Sequence, residues 1–269
     1  MSSVTKTLDL LRHFSATQPE IGLSMMCRLA KRDKATTYRH LQALENAGFV
    51  EQNPFTKLYR LGPALLQLGH MREATVPRKS GAEAALRQLS EATGETAHVS
   101  VLSGARLFAL LAHEATRHST RVVIDVQTFP LHATSSGLCA LAFGPANLWE
   151  QAQDQLTRFT DATLTQPDAL RAVVQQIRQQ GFAQTTGSFE ADVHSLSAPL
   201  FNELDQFAGA VSVAAVATRM TPQFNETIKP ALFAASRQIS HNWGGSVPDF
   251  LQQIWGHAPP SAHAMECAT

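Results

Sequence analysis

Cysteine is nearly absent from this 269-residue chain, with only Cys27, Cys139 and Cys267 present. Three scattered thiols make neither a disulfide framework nor a zinc knuckle. Cys27 and Cys139 lie in apolar runs, where a free cysteine behaves as a small buried residue. Charge is also sparse, at 16% of residues, and sums to zero. That excludes a uniformly basic coating protein. No apolar run reaches the roughly 18 residues of a membrane span. The opening Met1-Ser2-Ser3-Val4-Thr5-Lys6 lacks the charged-then-apolar pattern of a signal peptide. A cytoplasmic protein with no membrane partner is expected. Metal-binding His-x-x-x-His or His-Glu-x-x-His spacing, a Gly-x-Ser-x-Gly elbow and a phosphate loop are all missing. No metal, cofactor or catalytic residue is therefore expected.

What is present is an asymmetry. Residues 1–76 carry ten Lys and Arg against six Asp and Glu, and the rest carries twelve against sixteen. The two parts are thus +4 and −4, which suggests a polyanion-binding part and a part with another task. The length also fits two modest domains.

The basic part reads as three helices and a hairpin. Ser3 is placed to cap a first helix, with Val4, Leu8, Leu11 and Phe14 at helical spacing. A second helix runs from Leu23 to Ala30 with Ser24 as its expected cap. Lys31-Arg32 turns the chain, and Asp33 caps a third helix from Lys34 to about Ala47, stopped by Gly48. Phe49–Gln52 and Leu58–Leu61, around an Asn53-Pro54 turn, read as a hairpin. This order is a winged helix-turn-helix, whose third helix enters the major groove. On a helical wheel Thr37, Leu41 and Leu44 form the core stripe. Ala35, Arg39 and Gln42 lie opposite, flanked by Thr36 and Tyr38. Arg28, Lys31, Arg32 and Lys34 crowd the same region, and Lys57 stands in the hairpin turn. These ten residues are the candidate DNA contacts.

A helix over residues 63–75 follows as a linker. From residue 76 to 256 strands and helices mix. A helix over 79–93 precedes strands at 97–102, 107–113 and 121–126. Helices at 135–143, 146–158 and 167–180 come next, then strands at 182–186, 194–200 and 208–216. A long helix begins at Thr221-Pro222. This is an α+β domain with an antiparallel sheet. Residues 257–269 read as a disordered tail. Thr134-Ser135-Ser136-Gly137 opens a helix and offers free N–H groups to an anion. Ser195 and Ser212 sit among apolar strand residues, where alternation sends their hydroxyls toward one cavity. His98 and His113 could face each other on a hairpin, but structural or pocket-edge histidines are the default. Asp125, Glu190 and Asp192 read as surface charges.

Several stretches together resemble a known family. They are Val4–Leu11, Asp33–Leu41, Leu44–Val50, Tyr59–Gly62, Leu131–Gly137 and Ser197–Phe201. In this order the chain is similar to the IclR family of bacterial transcription regulators over about residues 4–245. The resemblance implies a winged helix-turn-helix at 1–62 and a GAF-like effector-binding domain at 76–256. It further implies a homodimer or homotetramer on a near-palindromic operator, controlled by a small-molecule effector. Thr185, Ser195, Ser212 and Ala214 match pocket-lining positions of the family, beside Thr134, Ser135, Ser136 and Gly137. Three departures stand out. Lys31-Arg32 replaces the usual Gly and Leu-like pair in the turn. Leu138 replaces a frequent Lys, and Thr185-Thr186 replaces frequent carboxylates. The expected pocket is therefore more neutral than is usual, and suits a mainly apolar or aromatic metabolite with at most one carboxylate. Two alternatives remain open: an enzyme carrying a DNA-binding domain, and a second domain that only oligomerises.

Overall fold

The computed structural model describes residues 2–15 and 17–256; the tail expected at 257–269 lies outside them. The chain falls into two compact units, divided between Pro77 and Arg78.

In the first unit, helix α1 spans Ser3–Asp9 and tightens into a 3-10 turn at Leu10–His13. Its cap is Ser2 rather than Ser3: Ser2 Oγ accepts from the Thr5 N–H at 3.1 Å. Helix α2 spans Leu23–Ala30, capped by Gly22 with no side-chain bond, so Ser24 is not the cap expected. The chain leaves α2 through Lys31, whose φ of 52° is left-handed. Asp33 then caps α3, Lys34–Asn46, as expected. Strands β1 (Val50–Gln52) and β2 (Tyr59–Leu61) pair antiparallel, and α4 follows at Pro63–Thr75. Leu10, Phe14, Ile21, Met26, Leu41, Leu44, Val50 and Tyr59 form one buried core.

The second unit opens with α5, Arg78–Thr93. Its sheet is built from β3 (Thr96–Ser103), β4 (Arg106–His113), β5 (Thr128–Phe129), β6 (Ala183–Thr186), β7 (Val193–Phe201) and β8 (Phe207–Val216). Spatial order is β5-β4-β3-β8-β7-β6, antiparallel throughout. Helices α6 (Ser135–Phe143), α7 (Asn147–Gln153), α8 (Pro167–Gln180), α9 (Pro222–Asn242) and α10 (Asp249–Gly256) complete it. Two-residue alternation divides the central strands between two cores. Ala97, Val99, Leu196, Ala198, Val211 and Val213 pack with α5 and α9. The residues between them turn toward α6.

Three further expectations need correction. Residues 121–126 form no strand; β5 lies later, at Thr128–Phe129. Among the described residues this run joins no strand; Thr96 Oγ1 donates to the Val122 carbonyl at 2.7 Å, and Arg121 Nε donates to Glu114 at 2.6 Å. The helix expected over 146–158 ends at Gln153. His98 and His113 point to opposite sides of the sheet, because His113 pairs with Ala97 and His98 with Ala112 in the register. His113 Nε2 meets Glu83 on α5 at 2.9 Å instead. Among the described residues no cluster of three potential metal ligands occurs, and no helix is long and apolar enough to cross a membrane.

Candidate functional site

The second unit holds a cavity, partly open to solvent, between the start of α6 and the sheet. Its walls are apolar, from Val122, Ile124, Val126, Phe129, Phe189 and Val193. Its floor is hydroxylated, and sheet register explains why. His98, Ser212 and Ser197 stand opposite one another across β3, β8 and β7. Ala214, Ser195 and Thr185 form the neighbouring row across β8, β7 and β6. The first turn of α6 descends onto both rows.

Residue 137 is glycine where the segment Pro130–Leu131 packs directly on the start of α6. A Cβ there would stand 2.4 Å from the Pro130 carbonyl oxygen and 2.5 Å from Leu131 Cα. Thr134 caps the helix, its hydroxyl accepting from the Gly137 N–H at 3.0 Å. Close seating then brings hydroxyls together. Ser135 Oγ lies 2.7 Å from Ser195 and 2.6 Å from Ser197. Ser136 Oγ lies 2.8 Å from Ser212, and Ser212 lies 2.6 Å from Ser197. Thr185 meets Ser195 at 3.0 Å, and His98 Nε2 meets Ser136 at 3.2 Å. His98 also stacks on Phe129, ring centroids 5.0 Å apart. Complete burial lowers its pKa to about 4, so the imidazole is neutral near pH 7.

Six of the eight residues expected at the effector site line this cavity: Thr134, Ser135, Ser136, Thr185, Ser195 and Ala214. Gly137 and Ser212 lie behind the lining. The Gly137 N–H is engaged by the cap, and Ser212, wholly buried, reaches the cavity through Ser136 and Ser197. Asp125 and Glu190 also border the cavity, both solvent-exposed; no Lys or Arg does. Sequence reasoning missed Ser197, the segment 122–126 and the wall role of Phe129. Ser197 was legible, since it stands two residues from Ser195 on the same strand face.

In the first unit, α3 turns Lys34, Ala35, Tyr38, Arg39 and Gln42 outward, with Thr36 half-buried, while Thr37, Leu41 and Leu44 are buried. Asp33 steadies its start: the Thr36 N–H donates to the carboxylate at 2.8 Å and lowers its pKa. Gln42 Nε2 donates to Tyr38 Oη at 2.9 Å, so these two side chains lie together on the open face. Arg28, Lys31 and Lys57 are exposed. Arg32 is different. Its guanidinium bonds the Lys6 carbonyl and approaches Asp9 at 3.4 Å, with 14% of the side chain exposed. It braces α1 against the turn. At the wing tip, Asn53 Oδ1 accepts from the N–H groups of Phe55 and Thr56, and Phe55 is 92% exposed.

A helix-turn-helix with a hairpin wing, followed by a six-stranded domain with a polar-floored cavity, can be set against known proteins. The family model for the bacterial transcriptional regulator IclR C-terminal domain matches residues 77–241, and that for the IclR helix-turn-helix domain matches residues 3–54. The chain belongs to the IclR family of transcription regulators. The HTH-type transcriptional regulator BhcR of Paracoccus denitrificans is 30% identical over 246 residues, covering 88% of this chain and 86% of that one. A solved IclR-type regulator from a Silicibacter species is 42% identical with a TM-score of 0.85, covering 93% and 99% of the two chains. An IclR homologue from Microbacterium hydrocarbonoxydans, solved in complex with 4-hydroxybenzoate, has the same fold at 21% identity and a TM-score of 0.74, covering 90% of this chain and 99% of that one. In this IclR-family regulator the Lys31-Arg32 departure has a physical outcome. Lys31 occupies the left-handed position that suits glycine, and Arg32 makes polar contacts to α1.

Proposed function

We propose that the chain is a cytoplasmic, effector-controlled regulator that binds a near-palindromic operator as a homodimer or homotetramer. Residues 1–62 read the DNA, residues 63–75 link, and residues 76–256 take the effector. Arg39 and Gln42 address base edges, while Arg28, Lys31, Lys34 and Lys57 address phosphates. One such unit reads a half-site, so two copies are needed. Exposed Leu66, Leu68 and Met71 on α4, with Val4 and Leu8 on α1, offer apolar surface for pairing. The effector is a small, mainly apolar or aromatic metabolite with at most one carboxylate.

The observation that carries this reading is the cavity: apolar walls, a hydroxyl floor, and no cation among its lining residues. Hydroxyls and helix N–H groups compensate one carboxylate but not several buried charges. The 4-hydroxybenzoate of the Microbacterium relative belongs to the same chemical class. An enzymatic reading draws on one feature, the Ser136–His98 contact. A general base works best with a pKa near the operating pH, and burial holds His98 far below it. A domain that only oligomerises has no use for the cavity. The test is a thermal-shift series with the full chain. Benzoate and 4-hydroxybenzoate are expected to stabilise the second unit. Stabilisation only by sugar phosphates or tricarboxylates overturns the effector class. DNase footprinting of the DNA upstream of the chain's own gene tests the operator.

A further inference from the structure

The hydroxyls under the cavity form one unbranched path. It runs from Thr185 to Ser195, Ser135, Ser197, Ser212 and Ser136, and ends on His98 Nε2. All six contacts are 3.2 Å or shorter; one longer cross-contact joins Ser136 and Ser197 at 3.5 Å. Each hydroxyl has a single proton, and each contact needs one. Whether the path has a proton to spare therefore follows from which nitrogen of His98 carries hydrogen.

If Nε2 carries it, seven protons serve six contacts, and one hydroxyl proton is left over. On the wholly buried Ser197 or Ser212 that proton would be orphaned, whereas Thr185, at the open end of the path, lines the cavity. If Nδ1 carries it, every hydroxyl proton points back toward His98, and Thr185 has only lone pairs to offer. Nδ1 is buried and has no hydrogen-bond partner. An orphaned N–H is rarer and costlier than an orphaned lone pair, which selects the Nε2–H tautomer. We propose that the Nε2–H of His98 leaves this path one proton to spare, so that Thr185 at its open end presents a donor and the cavity selects ligands with an acceptor group. His98 is then a positioning residue for specificity, acting through five serines. The proposal rests on the effector reading above and narrows it from an apolar body with one polar group to an apolar body with an acceptor.

Two measurements separate the proposals. The first needs no ligand: long-range proton–nitrogen correlation spectra of the ¹⁵N-labelled full chain at pH 7 report the His98 tautomer. Nε2–H is expected, and Nδ1–H overturns the proposal. The second uses neutral aromatic compounds, so that the charges of Asp125 and Glu190 play no part. Acetophenone offers only an acceptor, indole only a donor, and toluene neither. Acetophenone is expected to bind at least about tenfold more tightly than indole, a ratio that one satisfied hydrogen bond supplies. Indole binding as tightly as acetophenone in the wild type overturns the proposal while leaving the apolar cavity intact. Binding of none of the three, toluene included, overturns the effector reading, and the tautomer still decides whether the path has a proton to spare.

Discussion

Ser212→Ala cuts the hydroxyl path at a wholly buried point. Ser212 accepts or donates at 2.8 Å to Ser136 and 2.6 Å to Ser197. The alanine leaves Ser136 without its acceptor and Ser197 without its donor. A buried polar group stripped of its partner costs about 1–3 kcal/mol. Ser136 recovers part of this by turning to Ser197, but only across 3.5 Å. The net loss expected for the second unit is therefore about 2 kcal/mol. Ser212→Val costs more, because its extra methyl groups press into a close-packed site where overpacking adds about 1–3 kcal/mol. Urea unfolding followed by tryptophan fluorescence reads the change, since Trp149, Trp243 and Trp255 all lie in the second unit. Both variants are expected to weaken the response to effector while leaving ligand-free operator binding intact. A loss below about 0.5 kcal/mol for Ser212→Ala, the range of substitutions that disturb nothing, would refute the idea that these hydroxyls are mutually bonded.

Arg39→Ala is expected to cost about 1–3 kcal/mol of operator affinity at fixed salt, with little change in stability, since the side chain is exposed; fluorescence anisotropy on labelled operator checks this. Lys31→Gly relieves a left-handed residue and should stabilise the first unit by about 1 kcal/mol, read as a raised urea midpoint. Stability should also fall on acidification. Burial lowers His98 to about 4 from 6.5, and lowers His194, chiefly by burial, in the same direction. The unfolded chain takes up these protons first, so the stability is fully present above 6.5 and drains away as pH falls toward 4, by about 3 kcal/mol for His98. Urea midpoints measured from pH 7.5 to 4.5 show it, and His98→Phe should flatten the slope.

Legibility in the sequence differed by region for physical reasons. The helix-turn-helix was readable because its signals are local: Asp33 caps α3, and Thr37, Leu41 and Leu44 repeat at helical spacing. Residues 121–126 misled because β-branched residues favour strands only where a partner edge exists. Here they border the cavity instead. Helix α10 escaped because eight residues carry little periodic signal; it is held by tertiary packing, with Trp255 stacked 4.5 Å from Phe233. Arg32 read as one cation among several, and its contact with α1 across 26 positions has no local signature. The Ser195 and Ser212 hydroxyls were readable from strand alternation. Their linkage to Ser135 and Ser136 spans 60 to 76 positions and depends on how α6 seats on the sheet, which has no local signature.

The central claim is that occupation of the cavity changes the grip on DNA. The direct measurement is operator affinity of the full chain with and without saturating benzoate at constant salt, with occupancy checked by calorimetry. The account predicts a change of about 5- to 150-fold, the span of ordinary allosteric coupling, and loss of that change in Ser212→Ala. An operator affinity that stays the same while the cavity is shown to be filled would contradict it.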